Sequence, residues 1–447
     1  MTTTQTTNAD AVARFVGAAR GRNFPADVVD TAKKALVDSL CVAVGAYDDA
    51  PAVKVRQVVE NWHSTGDARI IFGGTTTPSA AAFVNATMGH CMDYDDTHVG
   101  SVGHLSNPAW AAVLAVGRQL GASERDMLAA FITGFETAAR LGGKGVGQQT
   151  NKRGWHSTGV FGCFGVATAA SVLHGLDEEG VRNALGVAAT QVGGLIASFG
   201  TMSKPFHAGK AAFNGILAAE LAAEDFVAAK DLIEPDGALN RALIQDGTVL
   251  IESFRMEEDW ELLQNTFKPY SACLLTHPTI DNARKLAPQV KGKQIAEVTA
   301  YVNPLTLLMA AKPAPTTGLE GKFSAAYCAS LGLSGRNATF TDYLDEKMGD
   351  QEVMSIVPKV KLVSDDSQAV TSGRMVVRLA DGSELTAETP LALGNPGNPM
   401  TWDNMAEKFF PLVEPRLGAG KAKELYDVLR NFERSGSAKA LDDLLRA

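Results

Sequence analysis

Several segments in the first 268 residues have helical spacing of apolar residues but almost no polar face. The clearest are "TGVFGCFGVATAASVLHG" and "AGKAAFNGILAAELAAEDF". A helix that is apolar nearly all round has to be buried among other helices, and a hydrophobic content of 45% over 447 residues supplies a large core. Gly159, Gly162 and Gly165 predict close helix packing rather than a nucleotide-binding loop, because no strand precedes them.

Near residue 268 the pattern changes. "QIAEVTAYV" alternates β-branched and polar residues, and "KVKLVSDDSQAVTSGRMVVRLADGSELTAETP" predicts two strands joined through turns. Helical periodicity returns after "GNPGNPM". We therefore predict a mainly α protein with a large all-helical domain, formed by both chain ends, and a smaller α+β lid. The expected segments are 1–268 (helical), 269–397 (lid) and 398–447 (returning helices).

The composition narrows the range of partners. A net charge of -9, without a run of Lys and Arg, argues against nucleic-acid binding. The five cysteines are scattered and include no C-x-x-C pair, which favours a reducing compartment over a disulfide framework or a structural zinc site. The polar start "MTTTQTT" lacks a signal-peptide core, and no stretch reaches the ~18 uninterrupted apolar residues of a membrane span. We expect a cytoplasmic protein that does not bind membranes.

Charged and imidazole side chains concentrate in "HCMDYDDTHVGSVGH", from His90 to His104. We expect the preceding helix to continue to about Asp95, which would place Asp93 on one face with His90 and with Thr97. His104 falls in the loop before the next helix, where it is either a cap or a site residue. For Asp95 and Asp96 the sequence favours neither a structural nor a functional role.

A second cluster lies in "GTMSKPFHAGKAA". A helix starting near His207 would gather Lys204, His207 and Lys210 at its positive end, which favours an anion site. Two further segments add His156 in "RGWHSTG" and Lys268 with His277 in "FKPYSACLLTHPTID". These last residues are expected at a cleft between the domains, where small-molecule sites tend to form.

Imidazoles exchange protons near neutral pH, and lysines stabilise carboxylate and enolate charge. These histidines, lysines and carboxylates therefore favour an enzyme that transfers a proton beside a substrate carboxylate without a cofactor. Two alternatives stay open. A metal could bind through Asp93, His98 and His104, and Ser203 beside Lys204 could serve a hydrolase, although no G-x-S-x-G elbow is present.

The ordered set "MGHCMDYDDTH", "GWHSTGVFGCFGVATAAS", "GTMSKPFHAGKAA", "YSACLLTHPTIDNA" and "GLEGKFSAAYCAS" resembles the MmgE/PrpD superfamily over nearly the whole chain. This resemblance implies a helical domain with an α+β lid, a homodimer, and a cofactor-free enzyme that acts on di- or tricarboxylates. Family members include 2-methylcitrate dehydratase, cis-aconitate decarboxylase and iminodisuccinate epimerase.

The leading hypothesis is a cofactor-free lyase, a dehydratase or decarboxylase. The alternatives are a dicarboxylate epimerase, which needs the same residues, and a carboxylate-binding protein without turnover. His156 or His104 would move the proton, Asp93 and Thr97 would position it, and Lys204 with His277 would hold negative charge. The predicted catalytic set is Asp93, His104, His156, Lys204 and His277, and the predicted substrate-binding set is Thr97, His207, Lys210 and Lys268, with no metal.

Overall fold

The structure is a computed structural model that describes residues 7–446. The first six residues of the predicted polar start lie outside this range. The chain divides into two compact units, described separately below. The first contains residues up to Thr266 and from Leu412 onward, and the second contains Phe267–Pro411. Residues 398–411, expected among the returning helices, thus belong to the second unit, where Glu407 pairs with Arg284 at 3.3 Å.

The first unit is helical. Its helices are α1 Asn8–Ala19, α2 Ala26–Gly45, α3 Ala50–Glu60, α4 Pro78–His90, α5 Ser106–Leu120, α6 Glu124–Gly142, α7 Val146–Lys152, α8 Ser157–His174, α9 Glu178–Ala189, α10 Ser203–Ala223, α11 Ala238–Ile244 and α18 Ser437–Leu444. Its short strands are β1 Ala68–Arg69 with β2 Thr75–Thr76, and β3 Thr97–His98 with β4 Asn265–Thr266, both pairs antiparallel.

Helix α8 is the centre of the first unit, packed against α5, α6, α9 and α10. The predicted close packing is confirmed: a Cβ on Gly165 would lie 2.9 Å from the Gly134 carbonyl oxygen of α6. Among residues 7–446, α8 is the one helix long and apolar enough to cross a membrane, and 94% of it is buried. Buried core helices of globular proteins pass the same test, so its composition matches its packing.

The second unit combines helices with a four-stranded sheet. Its helices are α12 His277–Val290, α13 Pro304–Met309, α14 Gly318–Lys322, α15 Ala325–Leu333 and α16 Gln351–Met354, and its strands are β5 Ile295–Val302, β6 Val360–Ser364, β7 Gly373–Leu379 and β8 Glu384–Thr389. The sheet order is β6-β5-β7-β8, with β5 and β6 parallel. The stretch that begins "KVKLVS" was predicted to hold two strands, but it holds three, β6, β7 and β8. The "DDSQ" turn lies between β6 and β7, and the "DG" turn lies between β7 and β8.

One face of the sheet forms the core of this unit. Val298, Met375 and Val377 alternate with less buried neighbours along their strands, and they pack with Leu286 of α12 and Leu333 of α15. Such alternation is typical of a sheet covered by helices on one face. The chain passes from the second unit back to the first between Pro411 and Leu412, inside helix α17, Trp402–Arg430. This helix is interrupted at Gly418, whose φ is 74°. The mainly α class with a smaller α+β part is confirmed.

Candidate active site

Six of the predicted site residues lie close together in the first unit. His104 comes from the loop before α5, His156 precedes α8, and Lys204 lies in the first turn of α10. The remaining three are Asp93, Thr97 and His207.

The helix carrying His90 ends at that residue, so the expectation that it continues to Asp95 is wrong. Asp93 instead has a φ of 52°, in the left-handed region that a non-glycine residue rarely adopts. The chain turns there and continues into β3, which pairs with β4 through Thr97 and Thr266. Asp93 and Thr97 therefore meet the site through a turn and a short strand rather than along one helical face.

A buried carboxylate joins two imidazoles at the bottom of the site. Both oxygens of Asp95 lie 3.0 Å from Nδ1 of His90, and Oδ2 lies 3.3 Å from Nδ1 of His104. Burial alone would raise the pKa of Asp95, but the His104 and His90 imidazoles hold it well below its usual range. Asp95 is therefore ionised, and each facing Nδ1–H donates to it.

Burial lowers the pKa of His90 to about 4, against the opposing effect of Asp95. His90 is therefore neutral, with the proton on Nδ1. Its Nε2 is buried and has no hydrogen-bond partner among residues 7–446. His90 and Asp95 were missing from the predicted site set. One signal in the sequence pointed to these two residues, the density of acidic and imidazole groups in "HCMDYDD". It was missed because the segment was interpreted as a continuing helix.

The exposed side of His104 faces an ion pair. Asp93 Oδ1 lies 2.8 Å from Lys204 Nζ and 3.4 Å from His104 Nε2. Thr97 Oγ1 lies 3.5 Å from His104 Nδ1. The Asp93 side chain is 46% exposed whereas that of Lys204 is 16% exposed, so the carboxylate lies on the solvent side of the lysine.

His156 and His207 form a second imidazole pair, with 3.0 Å between their Nδ1 atoms. Burial lowers the pKa of both rings. In a pair of neutral rings, one Nδ1 must donate and the other must accept. The backbone N–H of His156 donates to the Gly194 carbonyl at 2.9 Å, and the Gly194 Cα faces the His207 ring so closely that a Cβ would lie 3.0 Å from it.

The two histidine groups are neighbours. The His156 ring stacks on His90 with 5.8 Å between centroids, and its edge meets Phe199 at 4.9 Å. Lys204 Nζ lies 5.2 Å from the same Phe199 ring. The arrangement therefore combines a cation, an exposed carboxylate, and imidazoles of which two, His90 and His104, contact a buried anion. These are groups that acid–base chemistry on an anionic substrate requires.

Lys210 does not join this group. The helix α10 begins at Ser203 rather than near His207, so Lys210 falls in its second turn. Its Nζ lies 4.3 Å from the Phe213 ring centroid. Together with His207 it lines a cavity of about 310 Å³ that also includes Ser203 and Asn214. Ser203 is exposed, and its neighbour Lys204 pairs with Asp93, which does not favour the serine hydrolase alternative.

His98 and Asp96 are structural. His98 contacts Ser101 Oγ at 3.0 Å and Glu261 at 3.1 Å, so the predicted metal set that includes it is not assembled. Asp96 is fully buried, and its backbone N–H donates to Asp38 at 2.8 Å. Burial and the nearby Asp38 raise the pKa of Asp96 well above its usual value.

A different group could hold a metal ion among the described residues: His90, Asp95 and His104. Their Nδ1–carboxylate separations of 3.0–3.3 Å are those of hydrogen bonds. A metal would need Nδ1 of each ring to release the carboxylate and turn to the ion at about 2.0–2.1 Å. The three side chains therefore fit a hydrogen-bonded relay, His90–Asp95–His104, better than they fit a metal site.

Lys268 and His277 belong to the second unit. His277 starts α12, and its Nε2 lies 3.2 Å from the Ala272 carbonyl oxygen. Burial, together with the nearby positive charge of Lys268, lowers the pKa of His277 to about 3. Both side chains are buried. Within this unit the two residues are therefore neighbours, with His277 neutral.

Family models match both parts of the chain. The MmgE/PrpD N-terminal domain matches residues 10–250, and the MmgE/PrpD C-terminal domain matches residues 270–434. The chain belongs to the MmgE/PrpD family. The resemblance inferred from the motifs is thereby confirmed. The N-terminal match contains all of the residues that the first unit brings together at the site.

Named MmgE/PrpD relatives are enzymes. A cis-aconitate decarboxylase of Aspergillus terreus is 26% identical, covering 95% of this chain and 92% of its own length. The human cis-aconitate decarboxylase is 26% identical, covering 83% and 79%, and the mouse protein is 25% identical, covering 94% and 89%. The chain is therefore an enzyme of the MmgE/PrpD family, and its relatives named above are decarboxylases that act on a carboxylate.

Proposed function

We propose that this protein is a lyase that removes CO2 from a small unsaturated tricarboxylate of the cis-aconitate type. Relatives named for that reaction align along most of their length. The observation that carries the proposal is the series of contacts from Lys204 through Asp93 to His104 and on to buried Asp95. These contacts place a cation near an imidazole whose ring a buried carboxylate orients.

The reaction requires one proton. Loss of CO2 breaks a carbon–carboxylate bond, and its electron pair forms a new C=C bond while the old C=C bond accepts a proton at its far carbon. The products are CO2 and an unsaturated dicarboxylate, and no oxidant or reductant is needed. The enzyme therefore has to hold carboxylates and deliver a proton to carbon, which is general acid catalysis.

His104 is the proposed proton donor, because Asp95 contacts its Nδ1 and leaves Nε2 facing the exposed side of the site. The carboxylate fixes the ring and the nitrogen that faces the substrate, as a buried acid does for a catalytic histidine. His156 is the weaker candidate, since burial lowers its pKa and keeps it neutral. In this scheme it hydrogen-bonds to the substrate.

Asp93 occupies the place of a substrate carboxylate. Its Oδ1 contacts both Lys204 and His104, the two groups that an incoming anion would meet first. A substrate carboxylate replaces it at Lys204, and Asp93 then turns toward solvent, where its side chain is already half exposed. The Thr97 hydroxyl lies 3.5 Å from the same Nδ1 and limits rotation of the His104 ring by contact.

The assignments of His277 as a carboxylate-binding catalytic residue and of Lys268 as a substrate-binding residue remain predictions from the family resemblance. So do the cofactor-free reaction, the cytoplasmic location and the absence of nucleic-acid and membrane partners.

The test is incubation with cis-aconitate in deuterated water, followed by ¹³C and ¹H NMR. We expect CO2 and an unsaturated dicarboxylate with one deuterium on carbon. Asp95→Asn and Lys204→Met should each lower kcat/KM by about 10²-fold or more. His174→Gln is the matched control because His174 lies at the far end of α8 and should retain activity.

The alternatives give different outcomes in the same format. Water loss from 2-methylcitrate would support a dehydratase, and deuterium incorporation with inversion of iminodisuccinate would support the epimerase. Stabilisation by these carboxylates without turnover would indicate a binding protein. Full activity of the Asp95→Asn variant would contradict the assigned site even if decarboxylation is observed.

A further inference from the structure

A second cavity in the first unit is separate from the candidate active site. It has a volume of about 320 Å³ and lies among α2, α5 and α18. That volume is within the range of about 300–1,000 Å³ seen for small-molecule sites. None of the active-site side chains described above contributes to its wall.

The cavity follows one face of α5. Six of the wall residues on this helix lie at the first position and three, four, seven, eight and eleven positions after it. They are Asn107, Trp110, Ala111, Leu114, Ala115 and Arg118, and Gly117 also lines the wall. At 1.5 Å per residue they span about 16 Å. The cavity is therefore elongated, and Ala111 and Ala115 leave room beside the helix.

The two ends differ in chemistry. At the inner end Trp110 is 1% exposed, and its ring stacks on Phe131 with 4.3 Å between centroids. At the outer end Arg118 is 32% exposed, and Gly121 and Lys439 are exposed. A ligand would thus enter past cationic groups and place its apolar part against the indole.

The outer end carries more positive than negative charge. Asp442 of α18 pairs with Arg69 at 2.5 Å and with Arg118 at 2.6 Å, so one carboxylate serves two guanidinium groups. The Glu124 carboxylate is used by the backbone, because its Oε1 accepts hydrogen bonds from the N–H groups of Gly436 and Ala438. With Lys439 counted, the wall has three cationic and two anionic side chains.

We propose that this cavity binds a medium-length aliphatic monocarboxylate, with its chain along α5 and its carboxylate beside Arg69 and Arg118. Away from the mouth the wall is mostly apolar, and its polar members Ser39, Asn85 and Asn107 are uncharged. A polycarboxylate is therefore disfavoured, because each further charge would lose its hydration without a cationic partner. A neutral chain would leave the excess cation at the mouth uncompensated. The ligand class therefore differs from that of the active site.

The probe is octanoate, measured by isothermal titration calorimetry and thermal shift on the full chain. We expect a Kd below about 1 mM. Octan-1-ol, which lacks the charge, and acetate, which lacks the chain, should each bind at least about tenfold more weakly, a difference of about 1.4 kcal/mol. Saturating cis-aconitate should leave octanoate binding unchanged, and displacement by it would overturn the proposal.

Variants locate the site. Ala115→Phe fills the cavity and should abolish octanoate binding, and Leu114→Trp at the half-buried mouth is a second filling variant should the first fail to fold. Arg118→Gln should weaken binding about tenfold. Arg125→Gln is the matched control, because Arg125 contacts Asn23 outside the wall. Wild-type affinity in both filling variants, or no octanoate binding by wild type, would overturn the proposal.

Discussion

Histidines in this chain differ in what lies opposite their two ring nitrogens. His98 and His104 are separated by five residues in the same loop region, yet His98 contacts Ser101 and Glu261 while His104 contacts Asp95 and Asp93. The sequence predicted that imidazoles at glycine-broken helix ends would gather. It could not distinguish these two, because the partners of each depend on a turn at Asp93 and on β4, which lies far along the chain.

The sequence predicted His207 as a substrate-binding residue, and its contact with His156 at 3.0 Å suggests a second role, that of a positioning residue for His156. We predict that His207→Ala lowers kcat about 10- to 100-fold with little change in KM, because His156 loses the partner that fixes which nitrogen carries its proton. His207→Asn, whose amide can reach the Nδ1 position, should recover part of the loss.

Steady-state kinetics and ¹⁵N NMR of the His156 ring together test this role. A direct contact with substrate would instead raise KM in both variants and leave the tautomer of His156 unchanged.

Helices were easier to predict than their ends. The apolar periodicity that predicted α8 and α10 reflects burial in a bundle, which is a property of the segment itself. The end of α4 at His90 depends on the left-handed Asp93 turn, and the parallel pairing of β5 with β6 depends on residues about 60 positions apart. Local patterns do not contain that information.

Glycine at the α6–α8 crossing sets how closely these helices approach. A Cβ on Gly134 would lie 2.4 Å from the Gly165 carbonyl oxygen, so we predict that Gly134→Ala lowers the free energy of unfolding by about 1–3 kcal/mol or more. Gly17→Ala on the exposed face of α1, where no atom lies within 4 Å, should raise it by up to about 1 kcal/mol. Urea unfolding of both variants measures the difference, and equal effects would contradict the packing argument.

Four buried histidines have lowered pKa values: His90, His156, His207 and His277. The unfolded chain therefore binds more protons than the folded one between pH 4 and about 6.5, the ordinary histidine pKa, and stability falls as the pH is lowered through this window. We predict that His90→Gln flattens the slope by about one proton, or about 1.4 kcal/mol per pH unit at most.

Urea unfolding at several pH values between 4.5 and 6.5 gives the slopes. Asp95 does not interfere, since its lowered pKa affects stability only below the ordinary range of a carboxyl group. Identical slopes in wild type and variant would mean that His90 is charged in the folded protein.

At the scale of the whole molecule we predict a homodimer. Exposed apolar side chains gather just after α3 and on α10 of the first unit, where Trp62 is 47% exposed and Phe206 is 38% exposed. Patches of this kind mark interaction surfaces. Light scattering should give twice the 47.1 kDa of one chain. Trp62→Glu should shift the protein toward monomer, and Val227→Glu, at an exposed position elsewhere, should not. A monomeric wild type would contradict the prediction.

The burial of α8 has a consequence for biosynthesis. During translation α6 is made before α8, but the last residue of α10 follows the end of α8 by about 50 residues, a delay on the order of 2–10 s at about 5–20 residues per second. For those seconds a segment that resembles a membrane span has only part of its partner surface. We therefore expect chaperones to bind the ribosome-bound chain during this interval, and slower synthesis of residues 175–223 should lengthen it.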